Sequence, residues 1–236
     1  MLAPGVLSVV FGGVSVLHPA LSVVAVIFFL CLVYFAYARH AFSPRGKDLQ
    51  AKMQHLLLER IGRWDGVGKV LDIGCGNGSV TIKIAKSYPQ AEVVGVDPWG
   101  RGWEYSKGVC QRNAEIEGVA GRTAFERASA SSLPFDEETF DIVVSNLVFH
   151  EVRDTRDKRR LINEALRVVK KGGWFAFQDL FLWKRVYGET GELLETIKSW
   201  GIETVEFVNT SDSDFIPRVL KLPFMLGTVG LLHGRK

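Results

Sequence analysis

"VLDIGCGNGSVTIKIA", residues 70–85, decides how the rest of the chain is read. A short apolar run ends at Asp72-Ile73. Gly74, Gly76 and Gly78 then alternate with Cys75 and Asn77, and helix-period apolar residues resume at Val80. The pattern predicts a buried strand, a tight turn and a helix. Glycine in such a turn permits positive φ and lets a ligand approach the backbone closely. A glycine-rich turn after a strand is the usual cradle for a nucleotide, which leaves open which nucleotide and which reaction.

Outward from this turn, strands and helices alternate. Strands are predicted at Lys69–Ile73, Glu92–Val96, Thr123–Arg127, Asp141–Ser145 and Trp174–Gln178, and helices at Val80–Ser87, Trp103–Glu117 and Asp157–Val169. Alternation of this kind implies an α/β fold, a doubly wound parallel sheet with helices on both faces. The tail departs from the rhythm with a helix at Glu189–Trp200, a strand at Ile202–Val208 and a last strand in "FMLGTVGLLHGRK". Two strands joined by a long polar loop pair antiparallel at a sheet edge. The expectation is a mostly parallel seven-stranded sheet with an antiparallel last strand.

Ligands of such sheets sit at the carboxyl ends of the strands, where the strand order reverses. The second strand, "AEVVGVD", ends in Asp97, 21 residues past Gly76 and suited to a ribose diol. NAD and S-adenosylmethionine both satisfy that much. The dinucleotide pattern G-x-G-x-x-G requires glycine at 79, where the chain has Ser79, and the third glycine falls at 78 instead.

The tighter G-x-G-x-G preceded by Asp72 resembles the class I S-adenosylmethionine-dependent methyltransferases. "VLDIGCGNG", "VVGVD", "SSLPFDEETFDIVVSNLVFHEV" and "EALRVVKKGGWFAFQD" are similar to that family's blocks, in the family's order, within residues 55–236. The resemblance implies a Rossmann-like methyltransferase fold with S-adenosylmethionine as cofactor. Gly74, Cys75, Gly76 and Gly78 would lie along its amino-acid end, and Asp72 would orient its ammonium; Asp72 capping backbone amides is the alternative. Asp97 and Pro98 would meet the ribose, Ser129 and Ala130 the adenine, and Asn146 the methionine portion. Members often carry Asp where this chain has Ser129, which puts a carboxylate contact to the adenine amine in question. The usual Lys-Pro-Gly-Gly turn is here Lys170-Lys171-Gly172-Gly173.

The chemistry asks little of side chains, because a sulfonium methyl is already electrophilic and positioning supplies most of the acceleration. His150 and Asp179 are the catalytic candidates: His150 for taking a proton from an acceptor, or else for ordering the loop under the cofactor, with the same ambiguity at Asp179. Cys75 reads as a small filler. Trp99 and Trp103 either wall the adenine pocket or cover the sheet edge. No His/Asp/Glu spacing argues for a metal.

The beginning of the chain is a different material. Residues 1–38 contain no Asp, Glu, Lys or Arg, and "ALSVVAVIFFLCLVYFAYA", residues 20–38, is a 19-residue apolar run. Nineteen residues at 1.5 Å each nearly match a hydrocarbon core of about 30 Å. Tyr34 and Tyr37 suit the interface, and Arg39, His40, Arg45 and Lys47 follow at once. A cleaved signal peptide carries its basic residues ahead of the apolar stretch, so an uncleaved anchor is expected, with the rest of the chain facing the cytoplasm. Residues 2–17 are also apolar, and His18-Pro19 interrupts them, so one transmembrane helix and a two-helix hairpin both stand. The expected divisions are an anchor at 1–38, a linker with a lead-in helix at 39–65 and the methyltransferase domain at 66–236.

At 236 residues and 26.3 kDa the chain suits one cored domain with an appendage. Its formal net charge of +3 is too small for a nucleic-acid binder. Three cysteines without metal or redox spacing read as reduced thiols. An anchored domain beside a bilayer points to a lipid or small-molecule acceptor (quinone, isoprenoid or lipid), which "DFIPRVLKLPFML", residues 214–226, supports as an interfacial segment or a lid. A protein or soluble-metabolite acceptor and a non-enzymatic cofactor-binding module are the rivals.

Overall fold

A computed structural model describes residues 19–62, 64–100 and 105–236, with side chains from Ser22 onward. The possible first arm at residues 2–17, the turn at His18, Trp103 and the start expected for the helix there lie outside the described residues. The chain divides into two compact units, Met1–Met53 and Gln54–Lys236.

In the first unit, Pro19 opens helix α1 (Pro19–Phe42), where its missing N–H costs nothing. Arg39 and His40 occupy the last turn, which favours cations at the negative end of the helix dipole. Val26, Ile27, Phe29, Leu30 and Val33 are exposed around the helix. Among the described residues, Ser22–Phe42 is the one stretch long and apolar enough to cross a membrane. Helix α2 (Leu49–Glu59) leads from this unit into the second.

The second unit follows with β1 (Gly68–Ile73), α3 (Ser79–Ser87), β2 (Ala91–Val96), α4 (Lys107–Ile116), β3 (Thr123–Glu126) and β4 (Phe140–Asn146). Then come α5 (Arg159–Arg167), β5 (Val169–Asp179), α6 (Lys184–Tyr187), α7 (Thr190–Ser199), β6 (Thr204–Val208) and β7 (Gly230–Arg235). The seven strands form one sheet in the order β3-β2-β1-β4-β5-β7-β6. β7 runs antiparallel to both β5 and β6, and the remaining pairs are parallel. The order reverses between β1 and β4, which opens the crevice at their carboxyl ends.

Successive side chains of a strand point to opposite faces, so the sheet feeds two cores. Leu71, Ile73, Val143, Phe175 and Phe177 pack with Leu161, Ile162 and Ala165 of α5 and Leu193 and Ile197 of α7. Val70, Ile142, Val144 and Ala176 pack on the other face with Leu57, with Ile84 and Ala85 of α3, and with Ala114 of α4. Each large side chain buried there is worth about 1.5–3 kcal/mol.

Two expectations need correction. The stretch Lys170–Gly173 is not a turn ahead of the fifth strand but part of it. β5 already pairs Val169 with Phe140, then shifts register to pair Trp174 with Ile142. The extra residues form a bulge in which Gly172 takes φ +75°, and Lys170 Nζ is held by both Asp141 carboxylate oxygens at 2.8 Å. The last strand is shorter than expected. Residues 218–229 coil into turns closed by Leu226 N–H donating to Leu220 O and Gly227 N–H to Leu222 O, so only Gly230–Arg235 extends.

Candidate active site

The glycine turn is built by β1 and wired to β2. The N–H groups of Gly74 and Cys75 both donate to Val96 O, at 2.7 and 3.0 Å, and Gly78 N–H donates to Cys75 O at 2.8 Å. Gly74 sits at φ +73° and Gly76 at φ +57°. A Cβ on Gly74 would lie 2.2 Å from a Val148 methyl, so both backbone angle and space demand glycine. Immediately after β2, the Asp97 carboxylate accepts Gly76 N–H at 3.0 Å and Trp99 N–H at 2.8 Å. Arg127 braces the same loop by donating to Pro98 O and Trp99 O.

These residues border a crevice of about 1130 Å³, lined among others by Gly74, Asp97, Pro98, Ser129, Ala130, Val148 and His150. Pockets for one small molecule run to roughly 300–1,000 Å³. This one therefore has room for a nucleotide-sized cofactor. A half-buried carboxylate at the end of β2, a backbone without Cβ atoms at the end of β1 and this volume fit S-adenosylmethionine.

The other expected residues sit around the lining rather than in it. Asp72 is buried behind the turn, and its Oδ2 accepts Thr81 N–H at 2.9 Å and Thr81 Oγ1–H at 2.7 Å. That is the amide-capping arrangement, which anchors α3 to β1. Burial raises the Asp72 carboxyl to about 6, against the two Thr81 bonds and helped by the charge of Asp97. A carboxyl raised from 3.8 to about 6 on folding stabilises the fold fully below pH 4 and loses that contribution as pH rises through 6. Asp72→Asn should therefore gain on the wild type by about 3 kcal/mol between pH 4 and 7 in urea titrations. Parallel pH profiles for the two proteins would refute this.

Cys75 turns its side chain into the core. Its hydrogen bond with Cys110 and its burial push the thiol pKa up, so it is a filler and only its backbone belongs to the turn. Trp99 is buried under the turn with its indole N–H on Gly76 O at 2.9 Å, and is absent from the crevice lining. Gly76 and Gly78 form the turn itself. Asn146 closes β4 beside Gln178 of β5, and both side-chain amide oxygens are buried with no partner among the described residues.

The two catalytic candidates come together. His150 lines the crevice from a single helical turn after β4, and its Nδ1 lies 2.8 Å from Asp179 Oδ1 at the end of β5. Asp179 is fully buried and also accepts Leu180 N–H at 2.6 Å and the Tyr187 hydroxyl at 3.1 Å. A carboxylate on Nδ1 selects the tautomer with its proton there and leaves Nε2 as the basic atom. Burial pulls the imidazolium pKa down, but the Asp179 bond and charge outweigh it, with help from Glu151, so the pKa stands above the usual value. Asp179 is thus a positioning residue that holds and charges His150.

Three residues here escape motif reading: Tyr187, Gln178 and Asp154. Asp154 Oδ2 accepts the hydroxyls of Ser129 and Ser131, each at 2.7 Å. Among the described residues no group of acids, histidines or cysteines is arranged to hold a metal.

Residues 71–177 match a family described as "Methyltransferase domain". Over 134 residues the chain is 34% identical to a ubiquinone/menaquinone biosynthesis C-methyltransferase of Geobacter sulfurreducens, covering 53% of this chain and 48% of that protein. Over 115 residues it is 30% identical to the phthiotriol/phenolphthiotriol dimycocerosates methyltransferase of Mycobacterium tuberculosis, covering 49% and 38%. The chain thus spans less than half the length of these relatives. Among solved structures, the Haemonchus contortus phosphoethanolamine N-methyltransferase 2 bound to S-adenosylmethionine superposes with a TM-score of 0.61 at 19% identity, over 86% of this chain and 56% of that one. Geranyl diphosphate C-methyltransferase of Streptomyces coelicolor gives 0.59 at 15% identity, over 80% and 79%. The structural likenesses show a shared fold.

Proposed function

We propose that this chain, whose residues 71–177 match a methyltransferase domain, is a membrane-anchored, S-adenosylmethionine-dependent enzyme that methylates a small lipophilic acceptor. One observation carries the reading: the crevice that starts at Gly74 and Asp97 continues to a histidine held by a buried carboxylate. Bound in it, S-adenosylmethionine would supply a methyl group on a positively charged sulfur. Asp97 would exchange its backbone partners for the ribose hydroxyls, and Gly74 and Gly76 would admit the amino-acid end against the backbone. His150 Nε2 would receive the proton of an acceptor that must lose one in the in-line displacement. Asn146, at the end of β4, would lie beside the methionine portion, with the turn amides rather than the Asp72 side chain nearest the ammonium.

Helix α1 supports the lipophilic acceptor and the anchor. A helix apolar on all sides finds its solvent in a bilayer, and Arg39, Arg45 and Lys47 beyond it support a catalytic unit on the cytoplasmic side. The named substrates of the two curated relatives, quinones and dimycocerosates, are lipophilic as well.

The deciding experiment incubates the full chain and membrane extract with methyl-labelled S-adenosylmethionine, then separates lipid from protein. Label in the lipid fraction is expected. Label confined to protein or to water-soluble metabolites would overturn the acceptor class, and no label above a boiled control would overturn the activity. Calorimetry gives a second expected result: Asp97→Ala weakens S-adenosylmethionine binding by about 1.5–3 kcal/mol, the worth of a hydrogen bond to a charged group. An unchanged affinity would remove Asp97 from the ribose.

A further inference from the structure

The chain has serine at the position after β3 where a carboxylate facing the cofactor base would be expected, yet a carboxylate is there. Ser129 Oγ and Ser131 Oγ each lie 2.7 Å from Asp154 Oδ2, reaching across 25 and 23 residues of sequence. The two hydroxyls are 2.9 Å apart, and Ser131 N–H lies 3.3 Å from Ser129 Oγ, which sets that hydroxyl's direction. Ser129, Ala130 and Asp154 all line the crevice. Both hydroxyl contacts fall on Oδ2, so neither serine engages Oδ1.

The place of this carboxylate along the crevice follows from the sheet. The strand order runs β3-β2-β1, with the glycine turn after β1 and Asp97 after β2. A ligand with its ribose at Asp97 and its other end at the turn extends its base beyond β2, toward the end of β3 and residues 128–131. A carboxylate is acceptor-only, so at that end it selects a base edge that donates N–H. The serine hydroxyls and the Asp154 backbone also hold the carboxyl below the usual carboxylate range, against a small burial effect, which keeps it an acceptor at neutral pH.

We propose that Asp154, held by Ser129 and Ser131, is the residue that selects adenine, accepting a hydrogen bond from the exocyclic amine through Oδ1. This rests on the S-adenosylmethionine reading above. The serines are positioning residues: they convert a side chain from the loop after β4 into a fixed acceptor at the end of β3.

The test uses the full chain in detergent micelles and two ligands. One is S-adenosylhomocysteine; the other is its analogue with hypoxanthine in place of adenine, which turns the exocyclic donor into an acceptor. The wild type should prefer adenine by about tenfold or more, the worth of one hydrogen bond to a charged group. Asp154→Asn, whose amide serves either base, should bring the ratio close to one. Ser129→Asp combined with Asp154→Ser, which moves the acid to the end of β3, should restore it. A role limited to tying the loop down would lower both affinities together and leave the ratio intact. A wild-type ratio in Asp154→Asn therefore overturns the proposal, as does a wild type that binds both ligands equally. A wild type that binds neither ligand overturns the S-adenosylmethionine reading, and this proposal with it.

Discussion

Replacing His150 with alanine lowers kcat by about 10²–10⁴-fold, the range for losing a positioned general base, while S-adenosylmethionine affinity stays within about twofold. The expectation follows from the arrangement at the end of β4. Asp179 Oδ1 accepts the Nδ1–H at 2.8 Å, so Nε2, which lies 3.8 Å from Glu151 Oε1, is the basic nitrogen. Because the pKa of His150 is raised, the base form builds up only as pH climbs above the ordinary histidine value. Wild-type kcat/KM should therefore rise with pH through that range and level off, and the variant's residual rate should lack this limb. Asp179→Asn should move the midpoint down, since the charge that raises it is gone. Wild-type turnover in His150→Ala would show that the acceptor gives no proton to this residue and that positioning alone suffices.

Gly74→Ala is the second large effect, and it acts on fold and cofactor together. At φ +73° an alanine is strained, and its Cβ would stand 2.2 and 2.5 Å from the two Val148 methyls. Strain at positive φ and overpacking add to a loss of about 2–4 kcal/mol in unfolding free energy. Relief must move either the turn or Val148, and both border the crevice, so cofactor binding should fall below detection even where the protein stays folded. The double variant Gly74→Ala, Val148→Ala should recover part of the stability, because it removes the clash but not the φ strain. Equal stabilities of single and double variants would show that contact with Val148 contributes nothing.

Much of this was legible in the sequence, for local reasons. The strand–turn–helix at residues 68–87 follows from apolar runs and glycine spacing, which act through backbone angles of adjacent residues. The antiparallel last strand was readable from the break in the strand–helix alternation. The bulge at Lys170–Gly173 was not. A Lys-Lys-Gly-Gly stretch suits a turn by itself, and only pairing of Val169 with Phe140 draws it into the strand. Asp72 shows a different limit. An acid beside a glycine turn serves a ligand or a helix end equally well by composition, and the choice rests on where Thr81 places its N–H and hydroxyl.

Asp154 and Tyr187 had no motif to mark them, because each acts through a partner distant in sequence. Ser129 meets Asp154 only because β3 and the loop after β4 end at the same rim of the sheet, and Tyr187 meets Asp179 because α6 folds back over the end of β5. The sequence by itself determined the fold class and the glycine turn, since periodicity and positive-φ positions are written residue by residue, while the cofactor followed from the resemblance carried by the four blocks. The tertiary structure decided which acids face the crevice and which are spent inside the protein. Hydrogen-bond partners at 2.7–2.9 Å depend on strand order and register, which no local pattern contains.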